Sequence, residues 1–246
     1  MTELHTSGGN KLVYDKLQMK CGIEIHQEIA TRHKLFCRCP PKLSDKSVEW
    51  SFIRRLRPSQ SELGEIDPAA LFEFKKGKVI QYEADSDTTC LVEMDEEPPG
   101  PMNNEALDIT LTFALMVGSN PVDEVWVMRK TVVDGSNTGG FQRTSVVTLG
   151  GAIMVNGKSY RLNQICLEED AARNIREEGD VITYSLDRLG IPLMEITTAP
   201  DMRTPLEVKE VAQRIGSILR STGKVRRGLG TIRQDLNVSI MDGPVV

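Results

Sequence analysis

Apolar and polar residues alternate along most of this chain, and a period of two is the pattern of a strand with one buried face. In KCGIEIHQEIAT, Ile23 and Ile25 fall on one side and Glu24 and His26 on the other. Short apolar or alternating runs follow at 79–83, 90–94, 122–128, 144–149, 152–155, 159–167, 181–186, 193–197 and 231–240, with the first at 21–29. Turn chemistry such as Asn156-Gly157 and Glu178-Gly179-Asp180 separates them. So many strands in close succession predict a large, mostly antiparallel sheet.

Two segments switch to helical spacing. Thr204, Pro205 and Glu207 form a capping box with proline at the first helical position, and Val208, Val211, Ile215, Ile218 and Leu219 then recur until Gly223. A second helix is predicted over 104–117, apolar almost all round and therefore buried, with Gly118 as its stop. Residues 1–18 are polar and read as a flexible arm. The pattern predicts an α+β domain over 19–246, a β-sheet cradle with helices packed on one face.

Acidic residues interrupt several of these strands. Alternation places Glu168 and Asp170 on one face of CLEED and Glu169 on the other. In PLMEITT it sets Leu193, Glu195 and Thr197 opposite Met194 and Ile196. A buried carboxylate needs a cation or a proton of its own, and a divalent ion satisfies several at once. Glu24 and His26, two residues apart on one face, could add oxygen and nitrogen ligands to Mg²⁺ or Mn²⁺, although a strand-end histidine bonded to a carbonyl fits the same spacing. In GLGTIRQDLNVSI the alternation puts Ile232, Leu236, Val238 and Ile240 in the core, and Arg233, Asp235 and Asn237 on a pocket wall or a solvated face.

Composition narrows the class. The chain has 246 residues, 39% of them hydrophobic, enough to bury a core. No apolar stretch approaches the roughly 20 residues that span a bilayer, and the first fifteen residues lack a signal-peptide pattern, so a cytoplasmic protein without membrane contact is expected. Five cysteines at irregular spacing suggest free thiols in a reducing compartment. His33, Cys37, Cys39 and Cys90 could supply four zinc ligands, but a single Cys-X-Cys lacks the paired knuckles of a zinc site, and structural thiols are expected instead. A net charge of −5 argues against a nucleic-acid coat. Locally, Arg214, Arg220, Lys224, Arg226, Arg227 and Arg233 form a basic strip free of acids.

Two loop segments could receive an anion or simply be solvated. MRKTVVDGSNTGGFQRT combines Arg129 and Lys130 with glycines that admit close backbone approach, then Gln142 and Arg143. FIRRLRPSQSELGEID, from 52 to 67, carries three arginines.

Taken as ordered phrases, GIEIHQE, LFCRCP, FIRRLRPSQSELGEID, VMRKTVVDGSNTGGFQRT, CLEEDAAR, LDRLGIPLMEITTAPDMRTP and GLGTIRQDLNVSI closely resemble the E subunits of archaeal glutamyl-tRNA(Gln) amidotransferases. They resemble, less closely, the B subunits of bacterial and organellar enzymes, which together make up the GatB/GatE family. The resemblance runs from about residue 20 to the end. It implies a ligase of the translation apparatus that uses ATP to phosphorylate glutamate misattached to tRNA(Gln). Ammonia from a separate, asparaginase-like glutaminase D subunit then displaces the phosphate, in an assembly of two D and two E subunits. The chain has no glutaminase triad of its own, consistent with ammonia from a partner.

By position, the resemblance implies catalytic roles for Glu24, His26, Glu169 and Glu195. It implies Mg²⁺ or Mn²⁺ ligation by Glu24, His26, Glu168, Glu169 and Glu195, ranking Glu169 slightly above Glu168. It also implies ATP contacts from Arg233, Asp235, Asn237, Arg129 and Lys130, and substrate contacts from Asn137 and Gln142. It makes zinc less expected, because the bacterial relatives carry more cysteines near the CRC segment. The family continues beyond residue 246, so the catalytic domain is expected to be truncated here. The alternatives are a non-catalytic tRNA-binding or scaffold module, and a phosphotransferase acting on a small carboxylate.

Overall fold

The computed structural model describes residues 9–45, 47–55, 57–58, 63–241 and 243, with the side chains from residue 13 onward. In chain order the elements are α1 (Gly9–Leu17), β1 (Lys20–Glu28), β2 (Trp50–Arg55), α2 (Pro68–Lys75), β3 (Val79–Ala84), α3 (Asn104–Met116), β4 (Asn120–Pro121) and β5 (Met128–Thr131). They continue with β6 (Phe141–Leu149), β7 (Ala152–Val155), β8 (Lys158–Glu169), β9 (Arg173–Glu178), β10 (Val181–Ser185), β11 (Pro192–Thr198), α4 (Pro205–Ser221) and β12 (Ile232–Ser239). The fold is α+β, built on a curled, mostly antiparallel sheet.

The main sheet has eight strands in the order β12-β1-β11-β8-β6-β4, with β5 added beside β6 and β7 beside β8. A second sheet orders β2-β3-β10-β9, in which β3 and β10 run parallel. Helices α3 and α4 cover one face of the main sheet, where Ile23, Ile25, Ile165, Leu167, Met194 and Ile196 form the core with Phe113 and Ile215. Each strand therefore sends its alternate residues to the opposite face, and that is where Glu24, Glu168 and Glu195 lie. A smaller core of Ile80, Tyr82, Ile182, Tyr184 and Leu186 belongs to the second sheet.

Helix α4 follows its sequence pattern. The Thr204 hydroxyl accepts from the Glu207 amide at 3.2 Å, and Val208, Val211, Ile215, Ile218 and Leu219 are buried. The box closes differently from the standard pattern, because the Glu207 carboxylate accepts from the Arg203 amide at 2.6 Å, one residue before the cap.

Other expectations are corrected. Gly9–Leu17, read as part of a loose arm, is helical, and Tyr14 packs against the core. Helix α3 buries one face only: Leu115 is 74% exposed, and Met116 is exposed too. Residues 90–94 form turns, because the Glu93 carboxylate accepts from the Cys90 amide at 2.8 Å and pins one tight turn that ends at Asp95 with φ +58°. In 122–128 the chain bends at Asp123 and Glu124, so only Met128 joins a ladder. Strand β2 lies where a loop was read; Leu56 and Ser59–Glu62 of that segment lie outside the described residues. Strand β9 and helix α2 were also missed, the first because it is a charged edge strand. The second was foreshadowed, since Asp67 caps the amide of Ala70 ahead of Pro68. Finally, Ile232, Leu236 and Ile240 are 41–45% exposed, because β12 is the sheet margin and the helices lie over β1, β6, β7 and β8.

Candidate metal centre on the polar face of the sheet

Register brings distant residues together. Pairing of β1 with β11 sets His26 beside Glu195 and Glu24 beside Thr197, while pairing with β12 sets Arg233 beside His26 and Asp235 beside Glu24. On β8, Glu168 is flanked by Leu193 and Thr144. His26 Nε2 lies 3.3 Å from Glu24 Oε1, 3.4 Å from Glu195 Oε2 and 3.5 Å from Glu168 Oε1. One donor atom from each of Glu24, His26 and Glu195 falls within 4.8 Å of the others, a spacing that one cation could bridge.

Lys130 reaches the same group from β5. Its Nζ is 3.1 Å from Glu195 Oε2 and 3.7 Å from Glu168 Oε2. Thr144 donates its hydroxyl to Glu168 at 3.0 Å. Three carboxylates thus share two nitrogen bases. Burial alone would raise the Glu195 carboxyl, but hydrogen bonds and charges from His26 and Lys130 hold it at about 2. Glu168 moves the other way: burial raises it and outweighs Lys130 and His26. Burial lowers His26 and Lys130, yet the surrounding carboxylates shift both upward. Glu168 Oε1 is buried and has no hydrogen-bond partner, with His26 Nε2 standing 3.5 Å away. An orphaned carboxylate oxygen beside two further carboxylates and an imidazole fits a hard divalent cation.

Glu169 is not in this group. No bulge interrupts β8 between 168 and 169, so Glu169 points to the opposite face. There Arg143 Nη1 contacts both its oxygens, at 3.1 and 3.2 Å. Burial still raises its carboxyl. The geometry therefore groups Glu168, and not the higher-ranked Glu169, with His26. Gln142 donates its side-chain amide to the Glu169 carbonyl at 2.5 Å.

The remaining candidates divide. Arg233 donates to Asp170 Oδ1 at 2.7 Å, and Asp235 and Asn237 are exposed on β12. Arg129 lies on the other face of β5 from Lys130, with its guanidinium 5.0 Å from the centre of the Phe141 ring. Asn137 is buried in the loop before β6, with its Oδ1 unpartnered. Sequence reasoning missed Glu28, which faces the same way as Glu24 and His26 and was readable by alternation. Burial and the neighbouring Asp170 raise it to about 7, against Arg226 at 3.2 Å.

The cysteines are free thiols, and three of them gather with an acid in a second group of donors. Cys37, Cys39 and Cys90 converge, and Glu93 completes the set, with one donor atom from each within 4.8 Å of the rest. The expected fourth member, His33, is exposed, and its Nδ1 sits 2.9 Å from the Arg38 carbonyl. Cys37 donates to Glu93 Oε1 at 2.8 Å, and the fully buried Lys34 ammonium lies 3.8 Å from the same carboxylate.

No helix among the described residues is long and apolar enough to cross a membrane. Residues 19–245 match the family model described as the GatB/GatE catalytic domain. Similar proteins include the E subunit of the Aeropyrum pernix glutamyl-tRNA(Gln) amidotransferase, 56% identical over 234 residues, covering 95% of this chain and 36% of that protein. The E subunits of the Methanocaldococcus jannaschii and Saccharolobus islandicus enzymes are each 56% identical, over 94% and 95% of this chain and 36% of their own length. The chain thus spans little more than a third of these relatives.

Proposed function

Because the chain belongs to the GatB/GatE catalytic domain family, we propose that it provides the phosphoryl-transfer and amidation centre of a glutamyl-tRNA(Gln) amidotransferase. The reaction converts Glu-tRNA(Gln) to Gln-tRNA(Gln) with ATP. A carboxylate is a poor electrophile, so its oxygen first takes the γ-phosphoryl group of ATP. The ammonia nitrogen then attacks the acyl carbon, and phosphate leaves as the carbon–nitrogen bond forms. Ammonia comes from a partner glutaminase, in the cytoplasm where aminoacyl-tRNA is made.

Glu24, His26, Glu195 and Glu168 are the residues that would hold Mg²⁺, or Mn²⁺ in its place. Bound there, the ion would shield the negative charge that accumulates when a phosphoryl group passes between two anions. Lys130 adds a cation at the edge of the carboxylate group, where it can meet a phosphate oxygen. Thr144 and the β1–β11 pairing orient Glu168 and Glu195 before substrate arrives. Asp235 and Asn237 line the approach from β12 and are proposed to meet the nucleotide or the glutamyl group.

The convergence of Glu24, His26 and Glu195 with Glu168 carries this reading. It is tested by replacing His26 and Glu195 together with alanine, in the enzyme assembled with its glutaminase partner. ATP turnover that depends on Mg²⁺ and Glu-tRNA(Gln) should be lost, and turnover at the parental rate would refute the assignment.

A further inference from the structure

Two further buried carboxylates stand beside the metal group. Glu28 follows His26 by two residues on β1, and Asp170 follows Glu168 by two just past the end of β8; they are 4% and 1% exposed. Each is tied to an arginine. Asp170 Oδ1 accepts from Arg233 Nη2 at 2.7 Å, and Glu28 Oε2 lies 3.2 Å from Arg226 Nε. Glu28 also feels the charges of Asp170 and Arg233, so the four side chains form one group.

The backbone fixes the two acids. The Asp170 amide donates to the Ile191 carbonyl at 2.8 Å, its own carbonyl accepts from Gly190 at 3.0 Å, and its Oδ1 also accepts from the Ala171 amide at 2.8 Å. The Glu28 amide donates to the Thr231 carbonyl at 2.9 Å, and its carbonyl accepts from the Arg226 amide at 3.0 Å. Neither carboxylate is free to swing toward a ligand.

The two arginines keep donors to spare. Arg233 also donates to the Gly230 carbonyl at 3.3 Å and Arg226 to the Pro41 carbonyl, yet a guanidinium carries more N–H groups than these contacts use. Both side chains reach solvent. Arg188, the other cation near Asp170, instead bonds the Ala171 and Ala172 carbonyls at 2.8 and 3.1 Å. Arg233 is the cross-strand neighbour of His26, which sets its unused donors at the border of the metal group. A dication among Glu24, Glu168 and Glu195, with Lys130 and a neutral His26, would leave no surplus positive charge for a polyphosphate. Guanidiniums held at that border supply it, in the planar fork that suits phosphate oxygens.

We propose that Asp170 and Glu28 are positioning residues that hold Arg233 and Arg226 beside the metal centre as a clamp for the phosphate chain of ATP. The proposal rests on the functional reading above. It fails or stands separately, because nucleotide binding and turnover are measured apart.

The test uses the enzyme assembled with its glutaminase partner and N-methylanthraniloyl ATP, followed by anisotropy in Mg²⁺. Arg233→Ala and Arg226→Ala should each bind about tenfold more weakly, the size of one lost charge-assisted contact, and Arg233→Lys should recover part of the loss. Asp170→Asn should weaken binding about fivefold in the parent but less than about twofold on top of Arg233→Ala, because it acts through that arginine. Glu28→Gln should behave likewise with Arg226→Ala. Inorganic triphosphate should displace the label from the parent more readily than from Arg233→Ala, and Arg214→Ala on the exposed side of α4 should match the parent. Three results would overturn the proposal: no binding by the parent at about 1 mM nucleotide, parental affinity in Arg233→Ala or Arg226→Ala, or an equal loss from Asp170→Asn with and without Arg233, which would make Asp170 merely structural. Parental binding in Arg233→Ala, with turnover lost in the His26 and Glu195 double variant, would sink the clamp and keep the metal assignment. The reverse pattern would keep the clamp and sink the metal assignment.

Discussion

His26 Nε2 lies 3.4 Å from Glu195 Oε2, across two strands whose residues are separated by most of the chain. The pair forms the centre of the carboxylate group, so metal affinity should depend on both. Titrating Mn²⁺ and following the free ion by electron paramagnetic resonance should show at least about tenfold weaker binding in His26→Ala and in Glu195→Gln, because a direct ligand matters at least as much as a supporting contact. Glu169→Gln should bind Mn²⁺ like the parent. The opposite ranking would restore Glu169 as the ligand.

Lys34 is fully buried, and Glu93 is the carboxylate beside it. Removing Glu93 strands a buried ammonium, so Glu93→Ala should lower unfolding stability by about 3–5 kcal/mol. Replacing both, as Lys34→Met/Glu93→Gln, should recover much of that loss. Urea unfolding of the two variants side by side separates the charge effect from a packing effect, which would leave the double variant equally weak.

Asp187 gives a pH dependence whose sign can be worked out. Burial raises its carboxyl, but Arg173 at 2.6 Å and the Ser44 amide at 3.1 Å outweigh it and leave the folded value depressed. Its contribution is therefore complete above the unfolded value of about 4 and fades as the pH falls through the lower folded value. Between about pH 6 and 3, the urea midpoint of Asp187→Asn should fall less steeply than that of the parent below about pH 4. Equal slopes would mean that Asp187 is not linked to folding.

Gly135 joins the loop between β5 and β6 to the second sheet. Its φ is +87°, and an added Cβ would stand 2.7 Å from Ile80 Cγ1, while its carbonyl accepts from the Tyr82 hydroxyl at 2.6 Å. Gly135→Ala should cost about 2–4 kcal/mol from left-handed backbone strain plus overpacking. A thermal shift of less than a degree would show that Ile80 yields easily.

Much of this arrangement was legible in the residues themselves. Alternation assigned Ile23 and Ile25 to one face and Glu24 and His26 to the other, and helical spacing named the five buried aliphatics of α4. Side-chain direction in a strand or helix follows from local backbone geometry, which sequence periodicity reports directly. The same logic separated Glu168 from Glu169, whereas the family pattern ranked Glu169 first and the coordinates place Glu168 beside His26.

Pairing decided the rest. Nothing local says that Arg233 meets Asp170, that Glu93 joins the three cysteines while His33 turns to the Arg38 carbonyl, or that β12 forms the sheet margin with Leu236 exposed. Each depends on which strand or loop lies next to which, and in what register, across tens to hundreds of intervening residues. The chain alone thus determined the face each side chain takes along its own element. Tertiary structure chose the neighbours on that face, because contact between distant segments is set by how the whole sheet packs and not by the period of any one strand.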